Sequence, residues 1–377
     1  MVERALRRTV HWVENRWDRA RFAVKRRAGW LGTPMILAFH GIAGPDGVWV
    51  RGRVLEENGA IGAPPTTSTI QNIRLSIKRY ETDEIRKAKV AWRFGEAKGQ
   101  VVTDEEGYFE FVIPPGADPL EAPWAIVELE LIDAPGYDMA PLGAEAWIRV
   151  VSDKAEYGVI SDIDDTIVRT GAFNFLKHWR TVVANSAESR TAFPGVSEFY
   201  RALAKGADGP ETHPVFYVSS SPWNLFDLFD RFLTIHEIPR GPMMLKDFGL
   251  DKAKWLTGGH DGHKGEMIDQ ILAACPNLPF LLIGDSGQDD GAIYADAARR
   301  YPGRIRQVHI RDVTKGVLKD HITDGIEDLR QSGVTVTLAP TLQAAASAAE
   351  EAGYITAGDL RRIENRIGER RAEGSAA

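Results

Sequence analysis

The chain has 377 residues, 44% hydrophobic and 26% charged, a balance that supports two domains with real cores and argues against disorder or a fibre. Its 53 acidic against 46 basic residues give a formal net charge of -7, which excludes the broad basic surface of a general nucleic-acid binder. Cys275, the lone cysteine, cannot form an internal disulfide, no charged-then-apolar leader opens the sequence, and no apolar run reaches the roughly 20 residues that cross a bilayer, so a cytoplasmic, non-spanning chain is expected.

Residues 1–32 have helical periodicity, with Leu6, Val10, Val13, Trp17 and Val24 on one stripe and arginines over most of the other face. Two readings fit this basic amphipathic helix. It lies on an anionic membrane surface with Trp12, Trp17 and Trp30 at headgroup depth, or it packs its stripe on the protein's own body. From 35 to 153 short β-type runs are separated by turn chemistry: GVWVRGRVLE, KVAWRFG, GQVVTD, GYFEFVIPP, WAIVELELI and AWIRVV. This predicts an all-β, sandwich-like domain with a loop at 64–68. No catalytic cluster falls within it, so it reads as a binding or positioning module.

Over residues 156–340 apolar strands alternate with helical segments: YGVISDID, PVFYVSS, PFLLIGD, RIRQVHIRDV and GVTVTLAP. Near-continuous apolar strands between helices predict an α/β domain whose parallel sheet is covered on both faces. Ligands of such sheets bind at the carboxyl ends of the strands, so the polar residues there are the ones to weigh. Residues 341–377 are expected to form a helical tail.

The first strand ends in SDIDDT, bringing Asp162, Asp164 and Asp165 together where the chain leaves the sheet. Carboxylates this close repel unless a cation offsets them, and hard oxygen ligands suit Mg²⁺ with a substrate phosphate. A solvated turn or a calcium loop is the alternative. The second strand delivers Ser219, Ser220 and Ser221, which can hold phosphoryl oxygens or cap the helix that Pro222 opens. Lys264 sits near the start of a helical segment and can neutralise an attacking carboxylate; Lys246, Lys252 and Lys254 compete by position alone. The HDGH run from His260 to His263 lacks the i, i+4 spacing of zinc motifs. The third strand ends in GDSGQDD, adding Asp285, Asp289 and Asp290. Its GDSG string matches the nucleophile segment of trypsin-like proteases, but without an accompanying His and Asp pattern the match is accidental.

Taken in order, DIDDT, VSS, the helical lysine and GDSGQDD resemble the four motifs of the haloacid-dehalogenase (HAD) superfamily. Within it, SDIDDTIVRTG, FPGVSEFYRAL, FYVSSSPWNLFDLFDRFL, IPRGPMMLKDFG, HKGEMI and IGDSGQDDGAIY are similar to the App1-type phosphatidate phosphatases. The resemblance implies a HAD-like Rossmannoid domain in which Asp162 attacks phosphorus and Asp164 is the general acid and base. It implies that Ser219 bonds the transferring phosphoryl group and Lys264 holds the charge around Asp162. Substrate contacts fall to Thr166, Ser220 and Ser221, and Mg²⁺ to Asp162, Asp164, Asp285 and Asp290, with Asp289 competing for the last place. The implied reaction turns phosphatidate into diacylglycerol and phosphate, peripherally on the inner membrane face. The segment 171–179, GAFNFLKHW, reads as a lid near a lipid headgroup or as a plain hydrophobic helix face. The same chemistry on a soluble phosphoester, or a non-catalytic lipid- or protein-binding module on this fold, are the alternatives.

Overall fold

In the first half of the chain apolar residues alternate with polar ones, and the backbone follows. On WAIVELELID, Val127, Leu129 and Leu131 are buried while Glu128 and Glu130 are exposed, the period of a strand with one covered face. A computed structural model of the chain describes residues 31–57, 84–168, 192–246, 260–314 and 316–375. The expected membrane or packing helix of residues 1–30, the loop at 64–68 and the lid segment 171–179 lie outside these.

Eight strands build the first sheet: β1 (Thr33–Ala38), β2 (Gly41–Gly44), β3 (Gly47–Glu57), β4 (Lys89–Phe94), β5 (Ala97–Val102), β6 (Tyr108–Ile113), β7 (Trp124–Asp133) and β8 (Leu142–Arg149). They run in the order β1-β3-β2-β8-β7-β4-β5, with β6 on β3. Every pairing is antiparallel except β2 with β8. The core inside is aliphatic, built on Val48, Val50, Val54, Val90, Leu131 and Ile148, and Trp92 of β4 stacks on Phe111 of β6 with centroids 5.1 Å apart.

The second sheet is wholly parallel: β9 (Gly158–Asp162), β10 (Val215–Pro222), β11 (Met243–Lys246), β12 (Phe280–Asp285), β13 (Ile305–Arg311) and β14 (Thr335–Ala339), in the order β11-β10-β9-β12-β13-β14. Around it lie α1 (Val196–Ala204), α2 (Phe226–Ile235), α3 (His260–Ala274), α4 (Asp290–Arg300), α5 (Asp320–Gln331), α6 (Gln343–Glu351) and α7 (Ala357–Ser375). Successive strand residues feed opposite cores. Val159, Tyr217 and Ile283 join α1, α2, α6 and α7, whereas Ile160, Phe216 and Leu282 join α3 and α4. Burial on both faces is why these strands read as unbroken apolar runs.

The expected C-terminal tail is part of this core: Ala345, Ala346, Ala349, Ile363 and Ile367 are all buried in it. Gly195, which starts α1 at φ 81, would place any Cβ 3.0 Å from Ile367. Strand β11 is a feature that the sequence pattern did not announce.

The chain proceeds outward on one side from β9 to β11, then returns to fill the other side with β12 to β14. The strand order therefore reverses between β9 and β12. At such a switch point the loops leaving the carboxyl ends diverge and open a crevice for ligand. The two halves of the molecule also meet near this edge. Phe39 stacks on Trp223 with centroids 4.4 Å apart, and the Arg51 guanidinium lies 4.6 Å from the centre of the Trp223 ring.

Candidate active site

Three strand ends, of β9, β10 and β12, and two helix starts, of α3 and α4, converge at the switch point, each bringing one kind of group. Strand β9 ends on Asp162, and the chain then turns tightly: Ile167 and Val168 both donate N–H to the carbonyl of Ile163, and Asp165 takes a positive φ of 55. Arg311, at the end of β13, donates to the carbonyl of Asp165 at 2.6 Å and stacks on Phe193, holding this turn from the far side. Asp164 is thereby set beside the end of β10, where Ser219 Oγ and Ser221 Oγ donate to its Oδ2 at 2.7 and 2.9 Å. Ser219 Oγ in turn accepts the N–H of Ser221 at 2.9 Å.

Lys264 enters from the first turn of α3. Its Nζ donates to Asp162 Oδ1 at 2.8 Å and to Asp290 Oδ1 at 2.5 Å. All three side chains are buried. Asp290, the first residue of α4, also accepts the N–H of Asp285 through Oδ2 at 3.1 Å. Asp285 ends β12 and accepts N–H groups from Gly287 at 2.6 Å and Gln288 at 3.1 Å on Oδ1. The Gln288 side chain spans the crevice, donating to Asp285 Oδ2 at 3.0 Å and reaching the carbonyl of Asp164 at 3.4 Å.

This packing leaves an excess of negative charge in a dry place. Carboxylate oxygens of Asp162, Asp285 and Asp290 lie within 4.8 Å of one another, with the Lys264 ammonium bonded to two of the three acids. Burial pushes the Asp162 carboxyl well above its ordinary range; Lys264 works against this, and Asp290, Asp285 and Asp164 add to it. Burial, then Asp290, pushes Asp285 up to about 7. Burial alone would lower the Lys264 ammonium, but the charges of Asp162 and Asp290 and their hydrogen bonds outweigh it and raise it. Asp162 Oδ2 is buried and accepts no hydrogen bond among the described residues. An orphaned carboxylate oxygen, two further acids and surplus charge form a donor set that fits a hard divalent cation.

The residues singled out in the sequence fall as follows. Asp162, Asp164, Ser219, Ser221, Lys264, Asp285 and Asp290 form one cluster. Ser220 is half-buried between its two neighbours, and Thr166 is buried with a hydroxyl that finds no partner among the described residues. Asp289 turns outward to Lys319 at 2.9 Å and His321 at 2.7 Å, so the geometry separates it from Asp290. Lys246 ends β11, while Lys252 and Lys254 lie outside the described residues. Gln288, Arg311 and Tyr200, whose hydroxyl meets Ser161 Oγ at 2.6 Å, were not singled out in the sequence. Nothing local marks them, because each acts across the sheet edge.

Residues 157–312 match the sequence model of the family described as phosphatidate phosphatase APP1, catalytic domain. That segment is similar to the App1 catalytic domain. Over 155 residues the chain is 33% identical to phosphatidate phosphatase APP1 of Saccharomyces cerevisiae, covering 41% of this chain and 25% of that protein. Over 253 residues it is 27% identical to an uncharacterized protein of Schizosaccharomyces pombe, covering 66% of this chain and 40% of the relative. The chain thus spans well under half the length of either relative. A carbohydrate acetylesterase from Xanthomonas citri aligns over 80% of this chain and 75% of its own at 12% identity, but a TM-score of 0.25 carries no argument about fold. The App1-type segment begins at Tyr157 and ends at Asp312, so it contains every residue of the acid and hydroxyl cluster.

Proposed function

We propose that the chain is a Mg²⁺-dependent phosphatidate phosphatase with a HAD-like catalytic domain, working through an aspartyl-phosphate on Asp162. The observation that carries the reading is Lys264, buried and bonded to both Asp162 and Asp290, beside an Asp164 that holds two hydroxyl donors. The similarity of residues 157–312 to the App1 catalytic domain supports phosphatidate as substrate.

In the first step the Asp162 carboxylate attacks phosphorus and the bond from phosphorus to the diacylglycerol oxygen breaks; that oxygen takes the proton carried by Asp164. In the second, Asp164 takes a proton from water as its oxygen attacks phosphorus. The bond to Asp162 breaks, phosphate leaves, and both carboxyls return to their starting states. Ser219 stands where it can exchange its bond to Asp164 for one to a phosphoryl oxygen. The Lys264 ammonium favours the ionised form of Asp162 against the burial that opposes it, which is what a carboxylate nucleophile needs. Mg²⁺ would be held by Asp162, Asp285, Asp290 and the carbonyl of Asp164, and when bound it offsets charge on the phosphoryl oxygens. The arrangement supplies a nucleophile, an acid and base, and charge neutralisation, the three needs of phosphoryl transfer.

Among the described residues no helix is long and apolar enough to cross a membrane. Action on a lipid brings the chain to a bilayer surface, and the basic composition of residues 1–30 suits an anionic one. The test is Mg²⁺-dependent phosphate release from phosphatidate in mixed micelles, by wild type and Asp162→Asn, beside a panel of soluble phosphoesters. We expect release from phosphatidate that falls by about 10⁴-fold or more in the variant, as for loss of other enzymatic nucleophiles. Release from soluble esters alone would keep the chemistry and discard the lipid.

A further inference from the structure

A groove of about 450 Å³ runs between the two halves of the molecule, a volume inside the roughly 300–1,000 Å³ of small-molecule sites. One wall is a single stripe of α3, where Met267, Gln270 and Ala274 follow at helical spacing; the other is Ile42 and Trp49 of the β2–β3 hairpin with Val112 of β6. Glu266, Gln270 and Asp46 are exposed at the rim. Apolar side chains supply the larger share of the lining and polar ones stand at the rim and at one end, as for a ligand that is mostly hydrocarbon.

One end of this groove adjoins the catalytic cluster through the chain itself. Trp223, which lines it, follows Ser221 by two residues, and His263, which also lines it, precedes Lys264. At that end the chemistry changes. Trp223 is only 3% exposed, yet its indole N–H has no acceptor among the described residues. A buried donor without an acceptor is uncommon in native proteins and marks a place where one is wanted. Arg51 lies 4.6 Å over the Trp223 ring, and its guanidinium is already 3.7 Å from Glu110. With that charge offset, the end of the groove suits an uncharged acceptor rather than a second phosphate.

An uncharged acceptor followed by hydrocarbon is the pattern of a fatty-acyl ester. We propose that this groove is the subsite for the glycerol-ester and acyl portion of the substrate, with the Trp223 indole N–H donating to an ester carbonyl. The proposal rests on the phosphatidate reading above. It makes the β-rich half part of the substrate site, since Arg51, Trp49 and Val112 belong to it.

The test uses the full chain with Mg²⁺ and compares long-chain phosphatidate with its dialkyl ether analogue, which lacks the carbonyls, and with a soluble phosphomonoester. Wild type is expected to prefer ester over ether in kcat/KM by about three- to tenfold, the worth of one hydrogen bond, and Trp223→Phe to erase that preference. Filling the groove with Gln270→Trp is expected to lower the ratio of phosphatidate to soluble-ester kcat/KM by about tenfold or more. If Trp223→Phe does not fold, phosphatidate carrying a diazirine in its acyl chain, photolysed on Asp162→Asn, is expected to label the exposed stripe of α3. Equal loss on ester and ether in Trp223→Phe, an unchanged ratio in Gln270→Trp, or labelling away from α3 would each overturn the subsite while leaving the phosphatidate reading standing. A wild type that hydrolyses only soluble esters overturns the phosphatidate reading and the subsite with it.

Discussion

Arg53 of β3 donates to Oδ1 of Asn224, 2.7 Å away and 171 residues later in the chain, and so fastens the β-rich half to the turn that follows Ser219–Ser221. Tyr108 OH donates to the same oxygen at 3.1 Å, and the Arg53 guanidinium lies 4.5 Å from the Tyr108 ring while also bonding Glu84 and the carbonyl of Glu106. The β-rich half thus fixes where β10 ends. We expect Arg53→Ala and Asn224→Ala each to lower kcat several-fold while leaving Mg²⁺ affinity in place, because the hydroxyls move and the acids do not. A double-mutant cycle on thermal or urea unfolding is expected to give a coupling of about 1–3 kcal/mol, the range for a hydrogen bond with one charged partner. Additive effects would show that the two residues do not act as a unit.

The buried acids predict a metal-dependent stability profile. The Asp285 carboxyl has a pKa of about 7 folded against an ordinary value of 3.8, raised by burial and Asp290. The folded state holds its proton more tightly, so the contribution is fully present below about pH 4 and is lost as pH rises through about 7. Without metal, Asp285→Asn is expected to gain on wild type over that window, by about 4 kcal/mol at most. With saturating Mg²⁺ at pH 7.5 the order is expected to reverse, since wild type then binds a cation the variant holds poorly. Melting curves of both proteins at pH 5 and 7.5, with chelator and with Mg²⁺, check this, and identical Mg²⁺ shifts would remove Asp285 from the metal site.

Gly284 is expected to tolerate no side chain. A Cβ there would lie 2.3 Å from Asp290 Oδ2 and 2.8 Å from the Tyr294 hydroxyl, which is itself committed to the carbonyl of Ile283 at 2.9 Å. Gly284→Ala must therefore push Asp290 away from Lys264 and from the Asp285 N–H. We expect a loss of Mg²⁺ affinity of about 10- to 100-fold, the usual result of disturbing groups that support metal ligands, with kcat falling alongside. Titration of Mg²⁺ activation measures it.

What the sequence made legible is what local pattern encodes. Strands buried on both faces, such as Gly158–Asp162 and Phe280–Asp285, stand out as apolar runs ending in acids, and the acids mark the sheet edge. Strand β11 is only MMLK, three buried residues that no period can distinguish from a loop. The choice between Asp289 and Asp290 was open because neighbours at a helix start differ by about 100° in direction, which spacing alone does not fix. One faces Lys319 and His321, the other Lys264. The partnership of Arg53 with Asn224, and of Arg311 with the Asp165 carbonyl, leaves no trace in either local sequence, because each joins distant segments. The tail after Pro340 reads only as helical, and its packing is not legible for a related reason. Alanine-rich helices carry little amphipathic signal, yet Ala345, Ala346 and Ala349 are small enough to sit directly on the core.

His309 supplies a pH response independent of the catalytic acids. It is buried in β13, its Nδ1 2.9 Å from Thr337 Oγ1 and its Nε2 3.0 Å from Gln307 Oε1, with no carboxylate among these partners. Burial holds its pKa down at about 4, against an ordinary value of 6.5. Because the folded pKa is the lower one, the stability it contributes is present above about pH 6.5 and is lost as pH falls through 4. That window is worth about 3 kcal/mol in full. His309→Gln keeps a donor and an acceptor but does not titrate there, so its stability is expected to fall less than that of wild type between pH 7 and pH 4.5. The two pH profiles, taken by urea unfolding at several pH values, are expected to converge toward acid and diverge toward neutrality; parallel profiles would mean that folding leaves the His309 pKa unshifted.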